Sequence, residues 1–329
     1  MNQAPMALVL MGLWTLSAGC RRDAASNERK STTGEGSAGA SLPRKGTGDP
    51  ITLLEWKESA YGTTLFIEGS TALVLTQTAA IRVTEGTPPQ KMAVPFGVGP
   101  ALMGDSIVYF HDGAARAVAK SGSEPRKLGL IEHPPQRFVA SEKRLAWLDH
   151  GEDGTFSLQK IDGKTPRVFY RTKDQVATAT MLGDWVFVVE RQADGSWRIA
   201  GVSTSKQESV FSRAHQGRPP SMLVPAPDGI YFYDGPTRSV RLASPDLQQE
   251  TVFAENVICS PFAVSDRVVC AHVEGVFEIP GKGRAPRVLA REKAGPIAAI
   301  AADEKRAVWL VDTAKDQFAV RSVALPVPR

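Results

Sequence analysis

Cys259 and Cys270, with His272 two positions further on, form the tightest grouping of thiol and imidazole side chains in the chain. They flank the turn signal Ser265-Asp266, which brings two short strands into near opposition. In an exported protein such a pair suits a structural disulfide, with two buried thiols as the other reading. A metal site is not expected, because neighbouring strand positions alternate faces and no fourth ligand follows. The run Asp149-His150-Gly151-Glu152-Asp153-Gly154 resembles an acidic calcium loop only in composition. Its spacing is that of a hairpin turn, as is Ala193-Asp194-Gly195-Ser196. The five histidines, His111, His133, His150, His215 and His272, are scattered, and no serine stands in a Gly-x-Ser-x-Gly elbow. These residue types predict neither catalysis nor a cofactor.

The elements that must position these residues recur. Apolar runs at Ala72–Leu75, Ile107–Phe110, Leu145–Leu148, Trp185–Val189, Ile230–Tyr233, Val268–Ala271 and Ala307–Val311 stand about 39 residues apart. Most follow a polar turn such as Gly104-Asp105-Ser106 or Pro227-Asp228-Gly229. Each run is preceded by a short strand and, in all but the seventh repeat, followed by two more, the last introduced in three repeats by Glu124-Pro125-Arg126, Thr165-Pro166-Arg167 and Ala285-Pro286-Arg287. Four strands per repeat predict an all-β fold, a β-propeller of four-stranded blades. The second strand lacks polar alternation because both its faces are packed.

Six repeats have a fourth strand, and the seventh ends at Leu325-Pro326 without one. The spare segment Ile51–Lys57 (ITLLEWK) precedes the first repeat and can close the last blade, covering an otherwise open edge. Seven blades follow over residues 51–329; six or eight are the alternatives. On such a ring the fourth-to-first and second-to-third loops share one face. Blades three to five place His133, His150, Glu152, Asp153, Lys173, Asp174, Arg191, His215 and Arg218 there. That face is the candidate binding surface, since loops on a rigid scaffold commonly carry recognition.

Residues 1–19 read as a signal peptide: the apolar stretch Ala7–Leu16 is too short to span a bilayer and leads into Ser17-Ala18-Gly19-Cys20. That ending resembles the lipobox of bacterial lipoproteins, which implies lipidation of Cys20 and anchoring in the membrane. Arg21 in the next position resembles the pattern sorted to the outer membrane, so the expected location is the cell envelope, facing periplasm or cell surface. Residues 20–50 then read as a lipidated cysteine and a disordered tether, rich in Ser, Gly and charge.

The net charge is +4, and residues 51–329 hold 33 basic against 31 acidic side chains with no basic run. This balance argues against nucleic acid as a partner. The runs Val108-Tyr109-Phe110 and Ile230-Tyr231-Phe232-Tyr233-Asp234 resemble the TolB-like and YWTD-like families of bacterial propellers, a resemblance that implies fold only. The expected function is a non-enzymatic, envelope-anchored propeller that binds or scaffolds a protein, peptide or glycan. The alternative is a propeller hydrolase or lyase working at the channel mouth. Replacing Cys20 by Ser is expected to move the protein from the membrane to the soluble fraction; retention in the membrane would point to a different anchor.

Overall fold

The computed structural model describes residues 49–58, 63–76, 78–93, 100–162, 165–206 and 208–326. The expected signal peptide, Cys20 and most of the tether lie outside the described residues. Among the described residues, twenty-eight strands make seven antiparallel four-stranded sheets, the propeller read from the repeat. Strand β1 (Ile51–Trp56) is set apart from blade one, which is β2 (Thr64–Glu68), β3 (Thr71–Leu75), β4 (Ala79–Thr84) and β5 (Gln90–Ala93). Blade two is β6 (Ala101–Met103), β7 (Ser106–His111), β8 (Ala114–Ala119) and β9 (Arg126–Leu130). Blade three is β10 (Arg137–Ala140), β11 (Leu145–His150), β12 (Phe156–Asp162) and β13 (Thr165–Thr172). Blade four is β14 (Gln175–Leu182), β15 (Trp185–Arg191), β16 (Trp197–Ser203) and β17 (Ser209–Phe211). Blade five is β18 (Leu223–Ala226), β19 (Gly229–Asp234), β20 (Ser239–Ala243) and β21 (Glu250–Ala254). Blade six is β22 (Phe262–Val264), β23 (Val268–His272), β24 (Gly275–Ile279) and β25 (Arg287–Arg291). Blade seven is β26 (Ile297–Ala302), β27 (Arg306–Ala314) and β28 (Gln317–Ala324), completed by β1.

The core is divided into seven seams, one between each pair of adjacent blades. Period-two alternation sends successive residues of a second strand into opposite seams. Leu73 and Leu75 meet Ile107 and Tyr109 of blade two, whereas Ala72 and Val74 meet Val308 and Leu310 of blade seven. Both faces are therefore dry, and the run has no place for a polar residue. Where third-strand space is short the side chain disappears: a Cβ on Gly201 would stand 2.9 Å from Val210 and 3.0 Å from the Phe187 ring.

Two local differences from the sequence reading have plain causes. The Pro166 turn is instead part of β13, where Pro166 pairs with Ile161. An outermost strand tolerates proline because its outer edge needs no donor. Cys259 lies not on the first strand of blade six but in the loop that enters it, and a disulfide joins it to Cys270 with the two Cα atoms 4.9 Å apart.

Strand β1 pairs antiparallel with β28, Ile51 opposite Ser322 and Trp56 opposite Phe318, and buries Leu54 in the seam between blades seven and one. The N-terminal strand therefore closes the ring. Deleting residues 51–57 removes a run of strand hydrogen bonds and a buried leucine, so cooperative melting is expected to fall by at least about 5 °C. An unchanged melting curve would remove the closure argument.

Candidate functional site

The nine loop residues read from the sequence share one end of the ring, yet they do not converge. His133 is exposed between β9 and β10. His150 ends β11 with its ring stacked on Phe156 at 4.4 Å. Glu152 and Asp153 are exposed in the following turn, where Asp153 Oδ1 accepts from the Thr155 amide at 3.0 Å. That bond holds the Asp153 carboxyl below its usual range. Asp194 is held low in the same way by Ser196, through its hydroxyl and its amide. Both clusters are Asx turns that close hairpins, and their carboxylates serve their own backbones.

Lys173 and Arg191 are exposed. Asp174 Oδ2 lies 3.9 Å from Arg198, whose guanidinium also holds the buried Glu190 at 3.0 Å. Glu190 accepts a second bond from the Tyr170 hydroxyl at 2.5 Å. Burial, followed by this bond, pushes the Tyr170 phenol well above its usual range.

His215 does not belong to the exposed face. Its backbone bridges Trp197 in both directions, extending the outer edge of blade four past β17. Its ring stacks on Trp197 at 4.1 Å, and Nε2 lies 2.8 Å from Glu250 Oε1. Glu250 is also 3.4 Å from Arg213 and 3.9 Å from Arg241, and Arg241 in turn holds the buried Asp234 at 3.1 Å. The chain at 212–215 continues a strand where the sequence suggested a free loop, and burial follows.

Of the nine, Arg218 lines a cleft. A cleft of about 500 Å³ opens on this face at blades five and six. One wall is Arg218-Pro219-Pro220-Ser221-Met222, ahead of β18, and the other is Tyr233 with Gly235-Pro236 at the end of β19. Ser260 closes it from the loop entering blade six. The Tyr233 hydroxyl donates to the Val257 carbonyl at 3.1 Å, which fixes the ring as part of the wall. Arg218 is exposed and, among the described residues, has no acidic partner. Beyond Ser260, Ile258 is 52% exposed, and Val273, in the second-to-third turn of blade six, is 68% exposed. Sequence reasoning missed this cleft, because its walls come from separate stretches of the chain.

The opposite mouth carries a larger hollow of about 940 Å³. First-to-second turns of blades five, six, seven and one line it together with the third-to-fourth turn of blade one, with Pro225, Pro227 and Ala302 among Glu85, Asp266, Asp303, Glu304, Lys305 and Arg306. Several of these charges are already engaged. Arg267 binds Asp266 at 2.8 Å and holds its carboxyl below the usual range. Asp303 accepts from the Lys305 and Arg306 amides, and Arg306 donates to the Gly69 carbonyl across the ring seam.

No protein-family model matches the chain, and no curated protein matches it either. Solved structures do match, at identities that speak for fold alone. A chain of a mitotic checkpoint complex superposes with a TM-score of 0.54 and 7% identity, over 92% of this chain and 99% of that one. The acylaminoacyl peptidase of Pyrococcus horikoshii gives 0.52 and 10% identity over 76% of this chain and 48% of that one. A structure of Saccharomyces cerevisiae Dbp5 bound to Nup159 and Gle1 gives 0.50 and 12% identity over 86% of this chain and 98% of that one.

Glu250 is the residue on which the interior beneath this face turns. Glu250→Ala leaves His215 and Arg241 without a carboxylate they now share, and the expected loss is about 3–5 kcal/mol in urea unfolding. Glu250→Gln retains an acceptor for His215 and is expected to lose less. Wild-type stability in Glu250→Ala would contradict the structural role.

Proposed function

We propose that the chain is a non-enzymatic binding scaffold, a propeller akin to the bacterial TolB-like and YWTD-like kinds, tethered in the cell envelope through a lipid on Cys20. One observation carries the binding reading: the face formed by fourth-to-first and second-to-third loops holds a proline, methionine and tyrosine cleft, and the exposed Ile258 and Val273 belong to loops of the same face. Aromatic, Met and Arg side chains with few other charges are the composition of interface centres rather than of ordinary surface. The buried carboxylates beneath the face favour a scaffold over a hydrolase or lyase. Glu190, Glu250 and Glu292 are each held by an arginine, so their charge serves the fold rather than a substrate. Similar folds lie in protein assemblies, a mitotic checkpoint complex and Dbp5 bound to Nup159. Their likeness agrees with this reading but does not carry it. The partner is taken as an envelope protein or peptide.

The test is quantitative crosslink capture from cells expressing the full chain. Wild type is compared with Ile258→Asp/Val273→Asp and with a variant in which Glu152, Asp153, Arg191 and Arg218 are replaced by Ala. The expected result is a specific partner reduced at least tenfold by the first variant, roughly the effect of burying one unpaired charge at an interface centre. A partner yield equal in all three proteins, or none above background, would overturn the reading.

A further inference from the structure

We infer that the blade five and six cleft takes an extended peptide that places an apolar side chain between Met222 and Tyr233 and a carboxylate on Arg218. This inference rests on the scaffold reading and deepens it.

The ionisable side chains of the lining are Arg218 and Tyr233, and the Tyr233 hydroxyl is already used on the Val257 carbonyl. One unpaired guanidinium at the rim of an apolar cleft makes the local charge positive, and the group that complements it is an anion. Guanidinium geometry matches a carboxylate with two parallel hydrogen bonds, which a point-like ammonium cannot reproduce.

The walls say how the rest of the ligand is held. Pro219, Pro220 and Pro236 offer no backbone N–H, so a strand cannot be added along that side by a ladder of hydrogen bonds. Recognition therefore falls to side chains seated in the cleft, with the Ser221 and Ser260 hydroxyls as the polar groups at its edge. A cavity of about 500 Å³ lies in the usual pocket range of roughly 300–1,000 Å³. Past Ser260 on the same face stand the exposed Ile258 and Val273, Ile258 lining a second hollow with His272 and Glu274. A small organic acid would fill the cleft and leave that surface wet, whereas an extended segment covers both.

The loop that closes the cleft is fastened in place. Ser260 adjoins Cys259, which is bonded to Cys270 on β23 of the same blade. Val257 is buried and Tyr233 is hydrogen-bonded to it, so the opposing walls are tied to each other before any ligand arrives. Less ordering remains to be done on binding, which favours a measurable affinity from a short segment.

The experiment is display selection of random dodecapeptides on the immobilised full-length protein, with selected peptides then measured by fluorescence polarisation. The expected result is enrichment of Asp or Glu beside Leu, Met, Phe or Pro. Arg218→Glu is expected to weaken selected peptides by about tenfold to hundredfold, with Arg218→Lys between the two. Met222→Asp is expected to abolish binding. Both positions are at least partly exposed, and unchanged melting of each variant shows that the fold is intact. Selected peptides that bind Arg218→Glu as tightly as wild type, the absence of an acidic signature, or phenylacetate displacing them at equal affinity would each overturn the inference. If selection fails while partner capture still depends on Ile258 and Val273, the cleft assignment falls and the scaffold reading stands. Loss of the capture result as well would remove both.

Discussion

Every second strand in this ring must be dry on both faces, and most of the architecture follows from that constraint. Because side chains alternate along a strand, a five-residue run supplies two seams at once. In blade seven Ala307, Trp309 and Val311 fill the seam with blade six, while Val308 and Leu310 fill the seam with blade one. No blade has a core of its own, so removing one leaves two apolar faces open. The ring is consequently closed by whatever strand is at hand, and β1 supplies it. Closure abolishes the two large apolar faces that an open array of seven blades would present, a stronger requirement than covering one edge.

The same geometry explains where charge is tolerated. A carboxylate can enter a seam only at its ends, and there it needs a fixed cation. Glu292 is fully buried and receives Arg321 from β28, the Trp309 indole from β27 and the amides of Lys293 and Ala294. Glu250 and Glu190 repeat the scheme with Arg241 and Arg198, each from the third strand of its blade. Glu292 anchors the loop between blades six and seven to the sheet that follows it, whereas Glu190 and Glu250 tie neighbouring strands within blades four and five. Acidic residues near the channel ends are thus engaged in assembly, which is why their abundance in the loops is a poor guide to a binding surface.

The repeat was legible because it is written in an unbroken apolar pattern that few other folds need. Seven runs such as Val268–Ala271, and the spare ITLLEWK, point to seven blades and N-terminal closure, while six or eight blades are excluded only by the sheets themselves. The candidate face was legible only as topology. Which loop residues are free depends on where a strand ends, and β17 is effectively prolonged to His215 by the bridge to Trp197. Local sequence carries no sign of that pairing, since Arg213-Ala214-His215-Gln216-Gly217 reads as polar loop. The cleft was invisible for a different reason: its walls come from residues 218–222, 233–236 and 260, which only the packing of adjacent blades brings together.

The two ends of the ring then divide the available chemistry. First-to-second turns are tight, and their charges are used on neighbouring backbone, as Asp303 and Arg306 show. Loops between blades are longer and must cross from the outer edge to the channel, so they can carry apolar residues without unfolding a sheet. Blade six has little strand pairing at its entrance, with β22 only three residues long and Phe262 opposite Cys270 as its last pair. A freely moving entrance would blur the cleft beside it. The disulfide between Cys259 and Cys270 continues the fastening past the end of the ladder, and the Pro261 carbonyl accepts the Ala271 amide at 2.9 Å just inside it. Closing so short a loop is worth about 2–3 kcal/mol in the chain-entropy account, modest against a ring of seven seams. Its larger consequence is positional, because it holds Ser260 and Ile258 where the face turns apolar.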